Sequence, residues 1–208
     1  MTPTRSQPIF LAVCVAGLVS LASPLGRQFL EASLVTHMLV QMPLLVFIGM
    51  GFGRISSAAA APYVATWNRG GSTGLLLTLG VAMFWMLPRA MDAALVDMRF
   101  EAAKFVSLPV AGVALAWSYG QASPIVKGVL NAHVVSALGV MGWAYMAAPV
   151  RLCNAYLASD QEMAGAGLLA AGAVTAAYFA MRIVFFGATR SRYIRTSSAS
   201  DDASIVAY

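Results

Sequence analysis

Long stretches free of charge constrain this chain more than any motif does. Of its 208 residues, only 10% are Asp, Glu, Lys or Arg, against about a quarter in an ordinary soluble domain, and those few are clustered. Six apolar windows remain between the clusters, at about 8–26, 32–53, 72–88, 105–119, 124–149 and 163–187. A bilayer core of about 30 Å needs about 20 apolar residues of helix, at about 1.5 Å each. Backbone in lipid must also satisfy its own hydrogen bonds, which a helix does within one segment. The windows therefore predict an all-α, polytopic transmembrane bundle of six spans, one domain over 1–187. The first window has a second reading. Arg5 precedes it and "SLAS" (20–23) supplies small residues, so cleavage after Ala22 as a signal peptide would leave five spans.

Two segments break the pattern. Between the third and fourth windows lies "RAMDAALVDMRFEAAK" (89–104), where Met91, Leu95, Met98, Ala102 and Phe105 recur at helical spacing while Asp97, Glu101 and Lys104 form another stripe. That spacing predicts an amphipathic connector on the outer membrane surface or an extension of the neighbouring spans, a solvated linker being the alternative. Asp92, Asp97, Glu101 and Lys104 are then outer-surface groups. The end of the chain, 188–208, is Ser-rich and polar and is expected to be a disordered cytoplasmic tail. Counting Lys and Arg by side puts Arg5, Arg54, Arg69, Lys127, Arg182, Arg190, Arg192 and Arg195 with the termini, and Arg27, Arg89, Arg99, Lys104 and Arg151 opposite. The excess predicts that both termini are cytoplasmic. It also accounts for the net charge of +5 as helix orientation, with lipid and no nucleic acid as the contact.

Polar side chains inside the windows are the candidate sites. "THMLVQMPLL" (36–45) sets His37 with Gln41, and Met38 with Met42, each pair on one helical face. His37 lies about 9 Å below the outer surface at about 1.5 Å per residue. Nine of the twelve methionines fall on the outer side, Met83 and Met86 among them, and Cys153 joins them. Imidazole beside soft sulfur atoms suits Cu(I), so His37, Met38, Met42, Met83, Met86 and Cys153 form a candidate copper set. Packing by methionine and a helix–helix hydrogen bond from His37 are the competing reading. In the fifth window Lys127 and Asn131 share a face and His133 points elsewhere. His133 lies about 15 Å deeper than His37, which excludes a bis-histidine haem. Cys14 and Cys153 make neither a disulfide framework nor a zinc spacing. "NRGGSTG" (68–74) lacks the ending of a phosphate loop and reads as a flexible connection capped by Ser72 or Thr73. No nucleophile–base pair, carboxylate dyad or HExxH motif occurs, so the chain is not expected to be an enzyme.

"THMLVQMPLL", "MLPRAMDAAL", "EAAKFVSLPVAGVALAWS" and "YMAAPVRLCNAYLASDQ" resemble stretches of small proteobacterial membrane proteins. Those proteins are in turn similar to the caa(3)-type cytochrome c oxidase assembly factor family. The likeness covers roughly 31–187. His37–Met38 matches the family's His-Met start, and Pro88 and Asp92 match its Pro-to-Asp stretch, whereas Glu101 and Lys104 stand where the family carries further histidines. The resemblance implies a plasma-membrane accessory protein for a respiratory oxidase, with oxidase subunits or a copper chaperone as partners. A small channel or transporter lined by His37, Gln41, Asn131, His133 and Lys127 is the alternative, and a metal-free structural subunit a third.

The charge count generates the first prediction. A reporter fused after Tyr208 is active in its cytoplasmic form; activity of a periplasmic reporter there would invert the assigned sides.

Overall fold

The computed structural model describes residues 7–205, with side chains over 7–184, residue 58 excepted. Arg5 and the tail expected over 188–208 therefore fall outside the residues described with side chains. All regular structure among the described residues is helical. In chain order the helices are α1 (Gln7–Ala22), α2 (Pro24–Leu30), α3 (Leu34–Thr36), α4 (Met42–Trp67), α5 (Ser72–Trp85), α6 (Pro88–Val96), α7 (Met98–Tyr119), α8 (Pro124–Ala147) and α9 (Ala158–Ile205). A π-helical turn, His37–Gln41, joins α3 to α4, and a 3₁₀ turn, Arg69–Gly71, precedes α5.

Among the described residues four stretches are long and apolar enough to cross a membrane: Leu34–Ser57, Met98–Tyr119, Pro124–Ala147 and Ala158–Val184. Two more are bent pairs, α1 with α2 at 69° and the stretch Arg69–Trp85 with α6 at 74°. By length and composition the described residues thus hold four to six candidate membrane spans. Local chemistry makes both bends. Ser23 accepts a hydrogen bond from the Gly26 amide while Pro24 opens α2, a restart signal with its own cap. Leu87, extended before Pro88, ends the third window early.

The connector expected over 89–104 is not one surface helix. It divides at Asp97, whose carboxylate accepts from the Arg99 amide and caps α7. Met98–Lys104 is therefore the first part of a span, and a window drawn to exclude charge began it seven residues late. A π turn stands just before Pro43. Pro43 has no N–H, and its ring would strike the carbonyl four residues back in a regular helix. The Met42 amide instead reaches the His37 carbonyl, five residues back.

Helices α4 and α7 form the centre, with α1 against α4 and α5 and α6 against α7. α8 and α9 form a hairpin, and the start of α9 packs on α3 and the π turn. The α4–α7 crossing depends on glycine. A Cβ on Gly49 would lie 2.1 Å from the Pro109 carbonyl oxygen, and one on Gly112 would lie 2.1 Å from that of Val46. Small residues here let two backbones touch, which drives helix association where lipid removes the hydrophobic force.

Gly112→Ala should accordingly lower the thermal midpoint in detergent, by the equivalent of about 1–3 kcal/mol of overpacking. Gly139→Ala, where a Cβ would meet nothing within 4 Å, should leave it unchanged. Equal midpoints for both variants would contradict the close crossing.

Candidate functional site

The site forms at the end of the bundle where α7 starts and α9 begins. Its anchor is Lys104, fully buried on α7. The turn after α2 brings Glu31 to it. Ser33 caps α3 by accepting from the Thr36 amide, and the Thr36 hydroxyl donates to the Leu30 carbonyl at 2.8 Å. These bonds close the turn and aim Glu31 inward. His37 and Gln41 follow on the π turn, both fully buried.

Lys104 Nζ donates to Glu31 Oε1 at 2.6 Å, lies 3.1 Å from His37 Nε2, and donates to Gln41 Oε1 at 3.3 Å. An ammonium has three hydrogens, and here it has three acceptors. Gln41 Nε2 returns to Glu31 Oε1 at 3.2 Å. Beyond the imidazole, His37 Nδ1 lies 2.8 Å from the Tyr156 hydroxyl, which donates to the Glu31 carbonyl oxygen at 3.1 Å.

Proton positions follow from the ends of this chain. Lys104 can only donate and the Glu31 carbonyl can only accept. The Tyr156 hydrogen goes to that carbonyl, so the phenol oxygen receives Nδ1–H of His37. The histidine is then the neutral Nδ1–H tautomer, with its Nε2 lone pair facing the ammonium. Along the path from Lys104 through His37 and Tyr156 to the Glu31 carbonyl, each donor has an acceptor, as a buried polar path requires.

Charge balances as well. Arg27 on α2 pairs with Glu101 on α7 and lies 3.8 Å from Glu31 Oε2. Arg27, Glu31, Glu101 and Lys104 together carry two positive and two negative charges. A cleft of about 360 Å³ lined by Pro24, Arg27, Gln28, Glu31 and Ala32 opens onto the outer pair of these groups. Lys104 and His37 lie behind it.

Tyr156 depends on the loop between α8 and α9. Asp92 of α6 accepts from the amides of Asn154 at 2.8 Å and Ala155 at 3.2 Å. Gln161 accepts from the Leu152 amide at 2.7 Å and donates to the Tyr145 carbonyl. Burial, with the Glu31 charge added, pushes the Tyr156 phenol above its usual range, so it acts as a neutral hydrogen-bond bridge. Burial likewise pushes the Cys153 thiol up to about 11, the Asp92 charge adding to it and the Tyr145 hydrogen bond opposing it.

The sequence-predicted residues separate accordingly. His37 and Gln41 belong to the network, and the helix–helix hydrogen bond is the role His37 takes. Lys104 was expected on the outer surface and is buried; Glu101, expected beside it, is largely covered and paired with Arg27. Asp92 holds a loop, and Asp97 is the exposed cap of α7. Met38, Met42 and Cys153 are buried in one core cluster, with Met86 packed against it, while Met83 faces outward at 44% exposure. His133 is exposed on α8 and Asn131 half-buried. The N-cap position of α5 is Gly71, and Asn68, ahead of the 3₁₀ turn, reaches the first turn of α5 by accepting from the Gly74 amide at 3.0 Å while donating to Ser118 Oγ at 2.8 Å. Ser72 and Thr73 do not cap it; Thr73 donates back to the Trp67 carbonyl.

This donor set does not fit Cu(I). Both ring nitrogens of His37 are engaged, one by an ammonium that would face the metal. The Cys153 thiol is buried, 3.9 Å from the Tyr145 hydroxyl and 4.0 Å from the Pro88 carbonyl oxygen. Met83 points away from the others. Among the described residues no group of three His, Cys, Asp or Glu side chains is placed to hold a metal. Arg27, Glu31 and Tyr156 were not singled out in the sequence. A lone lysine beside a long apolar window was the available signal, since an intramembrane charge calls for a partner. Compared with protein-family models, curated proteins and solved structures, the chain matches none.

Lys104→Met leaves the Glu31 carboxylate without its ammonium and should cost about 3–5 kcal/mol, as does breaking other buried pairs. Lys104→Met with Glu31→Leu removes both charges and should cost less than Lys104→Met alone. Thermal midpoints of the purified variants in detergent check this; strictly additive losses would show that the two do not act as a pair.

Proposed function

We propose that this chain is a multi-pass accessory protein of the bacterial inner membrane, with six spans and both termini cytoplasmic, that assists assembly of a respiratory cytochrome c oxidase without catalysing a reaction. The observation that carries the reading is the closure of the polar network. A conduit needs groups that can exchange partners along a path. Here His37 and Gln41 are locked to Lys104 at one end of the bundle. Lys127 and Asn131, the other residues expected to line a pathway, lie in a groove beside Tyr119, about 22 Å further along α7 at about 1.5 Å per residue. His133 faces outward on α8.

A closed network suits a scaffold. It fixes α2, α3, α7 and the α8–α9 loop relative to one another and leaves the outer faces of the helices for lipid or a subunit. The likeness of 31–187 to the oxidase assembly factors supports the process. The poor fit of the donor set leaves copper hand-over out of the proposal, and the partner is an oxidase subunit.

Two measurements test it. Deleting the chain should lower the membrane content of assembled oxidase, read from its reduced-minus-oxidised haem spectrum, and proteoliposomes holding the purified protein should pass ions no faster than empty ones. Normal oxidase content in the deletion strain would overturn the proposal, and a protein-dependent ion flux would favour a channel or transporter.

A further inference from the structure

Helix α8 buries little of itself: Leu130, Gly142 and Tyr145 are its buried residues. The opposite face is a continuous exposed seam. Val129, His133, Ser136, Val140, Trp143 and Ala147 follow one another at alternating steps of four and three residues, and every one of them is exposed. That is the spacing by which one helix packs along a parallel partner. A wholly apolar seam would simply face lipid, but His133 sets this one apart. α8 is a candidate span, and the imidazole stands about 14 Å from one end of it and about 21 Å from the other, at about 1.5 Å per residue. Its side chain is too short to reach the headgroups as Lys and Arg do. Neither His133 nor Ser136 hydrogen-bonds another described residue. Thr175 on α9, by contrast, donates to the Ala171 carbonyl of its own helix at 2.7 Å. Lipid offers His133 nothing to bond, and polar groups at such depth pair with one another.

We propose that this seam packs against the same seam of a second copy of the chain, with His133 of one copy hydrogen-bonded to His133 of the other. Copies inserted in one orientation are parallel. A twofold axis along the membrane normal then brings each seam residue opposite itself at the same depth. His133 suits that position. A neutral imidazole has one donor and one acceptor, so it satisfies its own kind, whereas a carboxylate or an ammonium would repel its twin. None of the six seam residues is acidic, Lys or Arg, so no like charges meet. One polar residue in an apolar seam is also the device that fixes register and strand number in coiled coils. Ser136, one turn on, brings a second hydroxyl to the contact, and its small size lets the two backbones approach. The pairing does not depend on the assembly reading; it requires only that α8 spans the membrane.

The test uses the full chain, labelled for fluorescence and reconstituted in phosphatidylcholine vesicles over a wide range of lipid-to-protein ratios. Energy transfer between copies gives the dimer fraction. The wild type should dimerise. His133→Leu, which suits lipid, should raise the dissociation constant about three- to thirtyfold, the range for one interhelical hydrogen bond in a membrane. His133→Asn keeps a donor and an acceptor and should restore most of the affinity, while Val174→Ile, at a comparably exposed position on α9, should change nothing. Cross-linking gives the geometry. Val140→Cys should link to its twin and Val174→Cys should not, with the parent chain as the blank because Cys14 and Cys153 are buried. A wild type that stays monomeric at every density would overturn the proposal. So would a dimer indifferent to His133→Leu, or one that Val174→Cys links as readily as Val140→Cys. In native membranes, a Val140→Cys link to a different polypeptide in place of a second copy would assign the seam to another partner and overturn it too.

Discussion

One ammonium organises this bundle. Lys104 lies in a span, where an unpaired charge costs several kcal/mol, and three acceptors from two other segments meet its three hydrogens. Glu31 supplies the opposing charge, His37 and Gln41 the remaining lone pairs. A buried ion pair of this sort adds little net stability, because desolvation offsets much of the attraction. Its effect is on specificity: α7 can seat against α2 and the π turn in one register, since any slip leaves a charge in a dry interior.

Everything near Lys104 serves that seating. The π turn presents His37 and Gln41 together just before Pro43. Asp92 and Gln161 hold the loop that delivers Tyr156, and Tyr156 holds His37. Glycine at 49 and 112 brings α4 and α7 into backbone contact, which keeps water from the space between them. At the opposite end Asn68 and Ser118 tie the α4–α5 turn to α7, a smaller neutral counterpart of the same device. The α8–α9 hairpin joins this core through Tyr145, Ala164 and Leu168, and its outer faces are largely exposed, open to lipid or a partner.

Helix class and the existence of the apolar spans were legible because lipid tolerates so few charges that their spacing marks the segments. His37 and Gln41 were legible as a pair from their i, i+4 spacing. Lys104 was misplaced for the same reason the spans were found. A rule that ends a span at a charge cannot see that Glu31, 73 residues away in sequence, neutralises it inside. Tyr156 escaped because a tyrosine in a loop carries no periodic signal; only folding shows that Asp92 turns it toward His37. Copper was read from residue types that share a depth. Depth alone does not say which atoms are already bonded, and both nitrogens of His37 are.

The central claim is that His37 is a neutral link in a directed chain, accepting from Lys104 and donating to Tyr156. Nitrogen-15 NMR of protein labelled at histidine, in nanodiscs near neutral pH and with His133→Gln as the assignment control, reads this directly. The account predicts Nδ1 protonated and Nε2 bearing a lone pair. A protonated Nε2, in either the other tautomer or the imidazolium, would leave the Lys104 ammonium without its second acceptor and would contradict it.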